Sequence, residues 1–177
     1  MSPLRLFFLG FLPVAGLLVP LSMAGDPPLP QTDTLIMPLP PIDRAGPVTD
    51  AAQVLEPPDR EKLGKALVDL RRDTGIAFDI VTLPSDYGLP HKRLSFEMRV
   101  GWPVGSAEEN DGMVLVLMPN EGVVVMEGGD GLPEGFDQAF YSRVIDDMIP
   151  ELRRGNVVGA MRDAIVSVRQ TAIESRS

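Results

Sequence analysis

The chain has 177 residues, with 16 lysines and arginines against 25 aspartates and glutamates, for a net charge of −9 at neutral pH. It contains one histidine and no cysteine, which excludes disulfides, thiolate metal sites and sites that need two imidazoles. A nucleic-acid-binding protein would present a basic surface, and the acidic balance argues against that class.

The first 24 residues have the organisation of a secretory signal peptide. Arg5 is followed by an uncharged apolar run, Leu6–Leu21, and small residues stand at Ser22 and Ala24, the two positions that a signal peptidase reads. Cleavage after Ala24 predicts a periplasmic or secreted protein. The alternative is an uncleaved segment that anchors the protein to the membrane, although the run is short for a bilayer and contains two prolines.

A proline-rich segment follows the predicted signal. Residues 25–47 hold seven of the 18 prolines of the chain, a density that prevents helix formation and favours an extended backbone. We therefore predict a linker over residues 25–47 and a folded domain over residues 48–175.

The first half of this domain predicts a helix, a strand and a second helix. Prolines are tolerated in a first helical turn, so the first helix begins at Pro57; its apolar residues recur at helical spacing until Gly75 ends the pattern. Ile76–Leu83 is rich in strand-forming residues and stops at Pro84. A shorter helix is predicted over Leu94–Val100.

The second half predicts a hairpin followed by two helices. Met113–Met118 is continuously apolar, as in a strand covered on both faces, and Val123–Met126 runs back after a turn. Helices are predicted over about Phe136–Leu152 and Asn156–Ile173, the second capped by Asn156. This order predicts an α/β fold, a three-layer α/β/α sandwich with a small mixed sheet.

An ordered series of motifs resembles the TPM domain family. Val48–Leu55 resembles its V-x-D-x-A-x-x-L opening, Trp102–Gly105 its W-x-[IV]-G, and Asn110–Gly112 its N-D-G. Glu127–Leu132 resembles its E-x-G-x-G-L, with the first glycine spacing shifted. Each motif is short, but their order is specific, and the resemblance extends over Val48–Thr171.

The resemblance implies a site at one end of the sheet, formed by acidic loops. The family includes thylakoid-lumen proteins linked to photosystem II repair and secreted or anchored bacterial proteins. Members are described as divalent-cation binders, and some as acid phosphatases. One departure affects the site: the family reads G-L-E, whereas here Pro133 separates Leu132 from Glu134. The inserted proline changes the direction of the Glu134 carboxylate relative to the family pattern.

Four residues are candidate metal ligands: Asp50, Asn110, Asp111 and Asp130. If the loops of Asp50 and Asp111 meet at one sheet end, their like charges need a cation or a shared proton. Oxygen donors without sulfur or nitrogen suit Ca²⁺ or Mg²⁺ rather than zinc. The alternative is that Asp50 and Asp111 only cap neighbouring backbone N–H groups.

Two other features receive plainer interpretations. His91 lies in a polar stretch and is interpreted as a solvated surface histidine. The Gly128–Gly131 loop permits a close backbone approach because glycine has no Cβ, but it lacks a phosphate-binding signature and is interpreted as a turn.

Three functions are compatible with these residues. The first is a non-catalytic exported module that uses a divalent cation to order its acidic loops and binds an envelope or membrane protein. The second, carried by the resemblance alone, is a weak metal-dependent acid phosphatase in which Arg99 or Arg143 holds the phosphate. The third is a purely structural domain. The chain has no G-x-S-x-G motif and no phosphatase D-x-D motif.

Overall fold

The computed structural model describes residues 42–176, so the predicted signal peptide and residues 25–41 of the predicted linker lie outside the described residues. The described elements are β1 Val48–Asp50, α1 Pro57–Thr74, β2 Ala77–Thr82, α2 His91–Gly101, β3 Gly112–Met118, β4 Val123–Gly128, α3 Gln138–Arg153 and α4 Val157–Glu174.

The strands form one mixed sheet in the order β1-β2-β3-β4. β1, β2 and β3 are parallel, and β4 pairs antiparallel with β3, as predicted for the hairpin. β1 was not predicted, because its three residues are too few to show a strand pattern. It pairs with the end of β2, where Val48 lies opposite Ile80 and Asp50 opposite Thr82.

Two apolar layers cover the sheet. All seven residues of β3 are buried, and successive side chains point to opposite faces. Met113 and Leu115 belong to the larger core, which α1, α3 and α4 cover. Val114 and Val116 belong to a smaller core covered by α2. The predicted three-layer α/β/α sandwich is therefore confirmed.

Local signals explain where the helices begin and end. α1 has proline in its first turn and ends at Gly75, whose φ of 75° lies in the left-handed region. The side chain of Asn156 accepts a hydrogen bond from the Gly159 N–H at 3.0 Å, which caps α4 as predicted. Asp137 caps α3 in the same way, so this helix begins two residues later than predicted. α2 begins at His91, three residues earlier than predicted.

The last residues of the predicted linker pack against the domain. Ile42 contacts the smaller core, and the Pro47 carbonyl accepts a hydrogen bond from the Ile80 N–H at 2.8 Å. Arg44 donates two hydrogen bonds to the buried Asp79 carboxylate, at 2.5 and 3.0 Å. Burial raises the pKa of Asp79, and the bonds and charge of Arg44 oppose that rise. Across residues 42–176, each helix is either too short or too polar to cross a bilayer.

Candidate functional site

The direction of the strands divides the predicted ligands between two ends of the sheet. Asp50 is the last residue of β1, in register with Thr82 and Leu117. Asp111 directly precedes β3, whose first residue, Gly112, is in register with Ala77. We call the end where β1, β2 and β3 begin the amino edge and the opposite end the carboxyl edge.

Asp50 and Asp111 do not meet. Six residue steps separate Asp111 from the level of Leu117, and at about 3.3 Å per residue they place the two acids roughly 20 Å apart along the strand direction alone. Carboxylates that share a calcium ion lie about 2.3–2.6 Å from it. The expectation of one site for Asp50 and Asp111 is therefore wrong.

At the carboxyl edge, the Asp50 carboxylate stabilises the turn after β1. It accepts hydrogen bonds from the Val54 and Leu55 N–H groups, at 3.1 and 2.9 Å, and from the Thr82 hydroxyl at 2.5 Å. The first two bonds match the capping role that the sequence left open for this residue. Metal binding by Asp50 stays a prediction.

At the amino edge, Asn110, Asp111 and Asp130 do lie on loops that contact one another. We call residues 104–111 and 128–131 together the amino-edge loops. The Gly129 N–H donates to the Gly112 carbonyl at 3.0 Å, and the Gly131 N–H donates to the Asn110 carbonyl at 3.1 Å. Asp111 accepts a hydrogen bond from the Ser106 N–H at 2.6 Å, so one of its oxygens fixes the first loop.

Glycine is required where these loops cross. A Cβ on Gly129 would lie 1.8 Å from the Asn110 carbonyl oxygen, and a Cβ on Gly131 would lie 1.6 Å from the Glu109 carbonyl oxygen. The glycine-rich loop therefore does make a close backbone approach, and the backbone that it approaches is the protein's own.

Negative charge collects beside these loops. The pKa of the buried Tyr141 phenol is raised to about 12, first by burial and then by the charges of Glu127, Asp137 and Asp130. Among residues 42–176, neither Glu127 nor Asp130 has a hydrogen-bond or ion-pair partner for its side chain. In the sequence, Glu127 is part of a motif and not a candidate ligand; it lies near the end of β4, which leads into the loop that carries Asp130.

The cationic side chain of Arg99 reaches the amino-edge loops. Arg99 is only 7% exposed and donates from Nη1 to the Asn110 side-chain oxygen at 2.5 Å. Its Nε has no hydrogen-bond partner within the described part of the chain. Arg143, the other predicted phosphate-binding candidate, lies over the Phe140 ring instead. Glu134 is exposed, and its side chain has no hydrogen-bond or ion-pair partner among the described residues.

A different group converges at the carboxyl edge. Asp86, His91 and Glu121 each offer one ligand atom, and the three atoms lie within 4.8 Å of one another. We call these residues the carboxyl-edge triad. Within residues 42–176 they are the one group of three such side chains with this geometry. His91 is partly exposed, as expected for a surface histidine, and it also faces two carboxylates. The sequence does not reveal this group, because Glu121 lies thirty residues from His91, across β3.

The sheet order, the helices on both faces and the crossed amino-edge loops define a class of small α/β/α domains. The family model of the TPM domain matches residues 48–171 of the chain. The chain belongs to the TPM domain family, and the resemblance stated from its motifs is confirmed. No curated protein matches the chain.

Solved structures share the fold. The N-terminal domain of a protein from P. gingivalis is 32% identical, with a TM-score of 0.64, and the match covers 73% of this chain and 83% of that one. The N-terminal domain of the cg2496 protein from Corynebacterium glutamicum is 16% identical, with a TM-score of 0.60 over 78% of this chain and 86% of that one. The BA42 protein from Bizionia argentinensis is 11% identical, with a TM-score of 0.59 over 68% and 83%. The last two similarities concern the fold alone.

Proposed function

We propose that this protein is an exported interaction module that binds a divalent cation, Ca²⁺ or Mg²⁺, at the amino-edge loops. The bound cation orders the loops for contact with an envelope or membrane protein. Export rests on the pattern of residues 1–24, and the cation site rests on the geometry of the loops.

The observation that carries the proposal is the pair of unpartnered carboxylates, Glu127 and Asp130, beside loops that are already fixed by their backbone. Both carboxylates raise the pKa of Tyr141, so each lies near that residue, and a cation bound there would offset their negative charge. Carboxylate and carbonyl oxygens are the donors that Ca²⁺ and Mg²⁺ prefer. Asn110 and Asp111 contribute here as residues that shape the loop, because each already has one side-chain oxygen in a hydrogen bond.

The test is a calorimetric titration of the purified, EDTA-treated protein with Ca²⁺ and with Mg²⁺. We expect saturable binding at one site, and a loss of affinity of at least tenfold in Asp130→Asn and in Glu127→Gln. Asp163→Asn is the matched control, because Asp163 is an exposed carboxylate on α4. An absence of binding heat, or an equal loss in the control, would contradict the proposal.

A second function, the weak acid phosphatase, is favoured by one observation. Arg99 lies at the amino-edge loops, and its guanidinium is one that can recognise a phosphate oxygen. The reaction would need a metal-activated water at the same site. Hydrolysis of a chromogenic phosphate ester by the cation-loaded protein, lost in both Asp130→Asn and Arg99→Lys, would favour the enzyme. Cation binding without turnover would favour the module.

A further inference from the structure

The carboxyl-edge triad is held in place by the backbone. One oxygen of Asp86, Oδ1, accepts a hydrogen bond from the Gly88 N–H at 2.8 Å. One oxygen of Glu121, Oε1, accepts a hydrogen bond from the Asp86 N–H, also at 2.8 Å. The remaining oxygen of each carboxylate faces Nε2 of His91. Each acid is therefore oriented by one oxygen and presents the other.

The distances between the presented atoms are those of ligands around a shared ion. Nε2 of His91 lies 3.4 Å from Oδ2 of Asp86 and 3.8 Å from Oε2 of Glu121. Both separations exceed the range of about 2.7–3.2 Å for a hydrogen bond from nitrogen to oxygen. Ligands bound at about 2.0–2.2 Å to a tetrahedral ion lie about 3.4 Å apart. We propose that Asp86, His91 and Glu121 form a transition-metal site that takes Zn²⁺.

The two loops that carry the triad are tied to each other. The Asn120 side chain donates to the Pro84 carbonyl at 3.0 Å, which joins the β3–β4 turn to the loop after β2. That loop is closed by a hydrogen bond from the Leu89 N–H to the Asp86 carbonyl at 3.0 Å, and Leu89 is buried in the smaller core. The site is thus largely formed before an ion arrives, which reduces the ordering cost of binding.

The donor set selects the class of metal. An imidazole nitrogen with two carboxylates suits Zn²⁺ and its neighbours in the transition series, whereas Ca²⁺ takes oxygen ligands only. Two carboxylates balance the charge of a divalent ion when the imidazole is neutral. They also offset the positive end of α2, where His91 is the first residue. Three protein ligands leave one position of a tetrahedral ion open.

That open position faces solvent. The side chains of His91, Asp86 and Glu121 are 40%, 34% and 29% exposed, so a water molecule or a donor from another protein can complete the coordination. This site lies at the opposite edge of the sheet from the amino-edge loops, and it is independent of the function proposed for them.

The single histidine allows a direct test in the full purified chain without a histidine tag. The carbon-bound imidazole protons give one set of NMR signals that needs no assignment. We expect stoichiometric Zn²⁺ to shift these signals until about one equivalent has been added, and the same concentration of Ca²⁺ to leave them in place. Co²⁺ in place of Zn²⁺ should give the visible absorption of a cobalt ion bound by nitrogen and oxygen.

Two conservative variants keep the framework and remove one ligand each. Asp86→Asn and Glu121→Gln retain the oxygens that accept from Gly88 and Asp86, so their backbone spectra should match wild type. Each should weaken Zn²⁺ binding at least tenfold, whereas Asp163→Asn should not. Imidazole signals that do not respond to Zn²⁺, or that respond in both variants at the same Zn²⁺ concentrations as in wild type, would overturn the site. Asp130→Asn should leave the response of the imidazole signals to Zn²⁺ unchanged. The proposed Zn²⁺ site can therefore be disproved without disproving the cation site at the amino-edge loops, and the reverse is also true.

Discussion

The two edges of the sheet differ in what holds their acidic side chains. At the carboxyl edge, Asp50 accepts three hydrogen bonds, and Asp86 and Glu121 each have one oxygen held by a backbone N–H. At the amino edge, Glu127 and Asp130 have no such partner among the described residues.

The loops at the two edges also differ in the interactions that fix their conformation. Those at the carboxyl edge are fixed by side chains that bind backbone groups, so their acids contribute to the structure. The amino-edge loops are fixed by backbone contacts at Gly129 and Gly131 and by Asp111, which accepts from the Ser106 N–H, whereas Glu127 and Asp130 make no such bond among the described residues. Whether a carboxylate is structural or available to a ligand therefore depends on how many of its oxygens accept from N–H or hydroxyl groups, which residue type alone does not show.

The largest expected effect comes from the crossing of the amino-edge loops. Gly131→Ala would place a Cβ 1.6 Å from the Glu109 carbonyl oxygen, which the backbone must move to avoid. We expect a loss of about 3 kcal/mol in the free energy of unfolding, measured by urea denaturation. In Gly64→Ala, the control, nothing lies within 4 Å of the new Cβ in the middle of α1, and a gain of about 1 kcal/mol is expected. Equal changes in the free energy of unfolding in the two variants would show that the fold does not depend on the close backbone contact at Gly131.

The second-largest expected effect is on the ion pair of Asp79 with Arg44, which lies between the two edges of the sheet. Asp79 on β2 is 3% exposed and bound by Arg44. Arg44→Met leaves that carboxylate buried without its partner, at a cost of about 2–3 kcal/mol, less than for a fully buried pair because Arg44 is partly exposed.

The pH dependence of this variant has a defined sign. Burial raises the pKa of Asp79 and Arg44 opposes the rise, so the pKa is raised further when Arg44 is removed. The deficit in unfolding free energy should be largest at neutral pH and shrink as the pH falls and the carboxylate takes up a proton. A deficit that stays constant over this range would mean that Arg44 acts only through packing. Lys62→Met, which breaks an exposed pair, should unfold at the wild-type urea concentration.

A substitution of Asp50 tests whether this carboxylate at the carboxyl edge stabilises the fold without contributing to Ca²⁺ binding. Asp50→Ala removes the acceptor for the Val54 and Leu55 N–H groups and should cost about 1–2 kcal/mol in urea denaturation. Because the proposed cation site lies at the amino edge, calorimetry at a temperature where the variant remains folded should give the wild-type Ca²⁺ affinity, and this result would exclude Asp50 as a ligand of that ion. A fall in that affinity would mean that the two edges are coupled.

Much of the fold could be predicted from local patterns. Pro57 and Gly75 bound α1, and the apolar run of β3 indicated two covered faces. The separation of Asp50 from Asp111 could not be predicted, because it depends on the strand β1, which was not recognised in the sequence. Once β1 is known to end at Asp50, its parallel direction places Asp50 and Asp111 at opposite edges. The carboxyl-edge triad depends on tertiary contact between two loops, which spacing along the chain does not reveal.

The Tyr141 hydroxyl reports on the amino edge. It donates to the Phe136 carbonyl at 2.9 Å, so Tyr141→Phe should cost about 1 kcal/mol at neutral pH. Because the folded pKa of about 12 exceeds the ordinary value of 10.0, this tyrosine favours the folded state below pH 10 and loses that contribution as the pH rises towards 12. Tyr141→Phe should therefore show a shallower alkaline decline in unfolding free energy than Tyr87→Phe, the matched control. Identical declines would contradict the raised pKa.

The smallest expected effect is at Glu134, where Pro133 alters the family pattern. Glu134 is exposed and its side chain has no partner in residues 42–176, so Glu134→Gln should change the free energy of unfolding by no more than about 0.5 kcal/mol. Calorimetry should give the wild-type Ca²⁺ affinity, in contrast to Glu127→Gln. If instead the affinity fell as far as in Glu127→Gln, Glu134 would be a ligand, and the chain after Leu132 would have to bend back over the amino-edge loops when the cation binds.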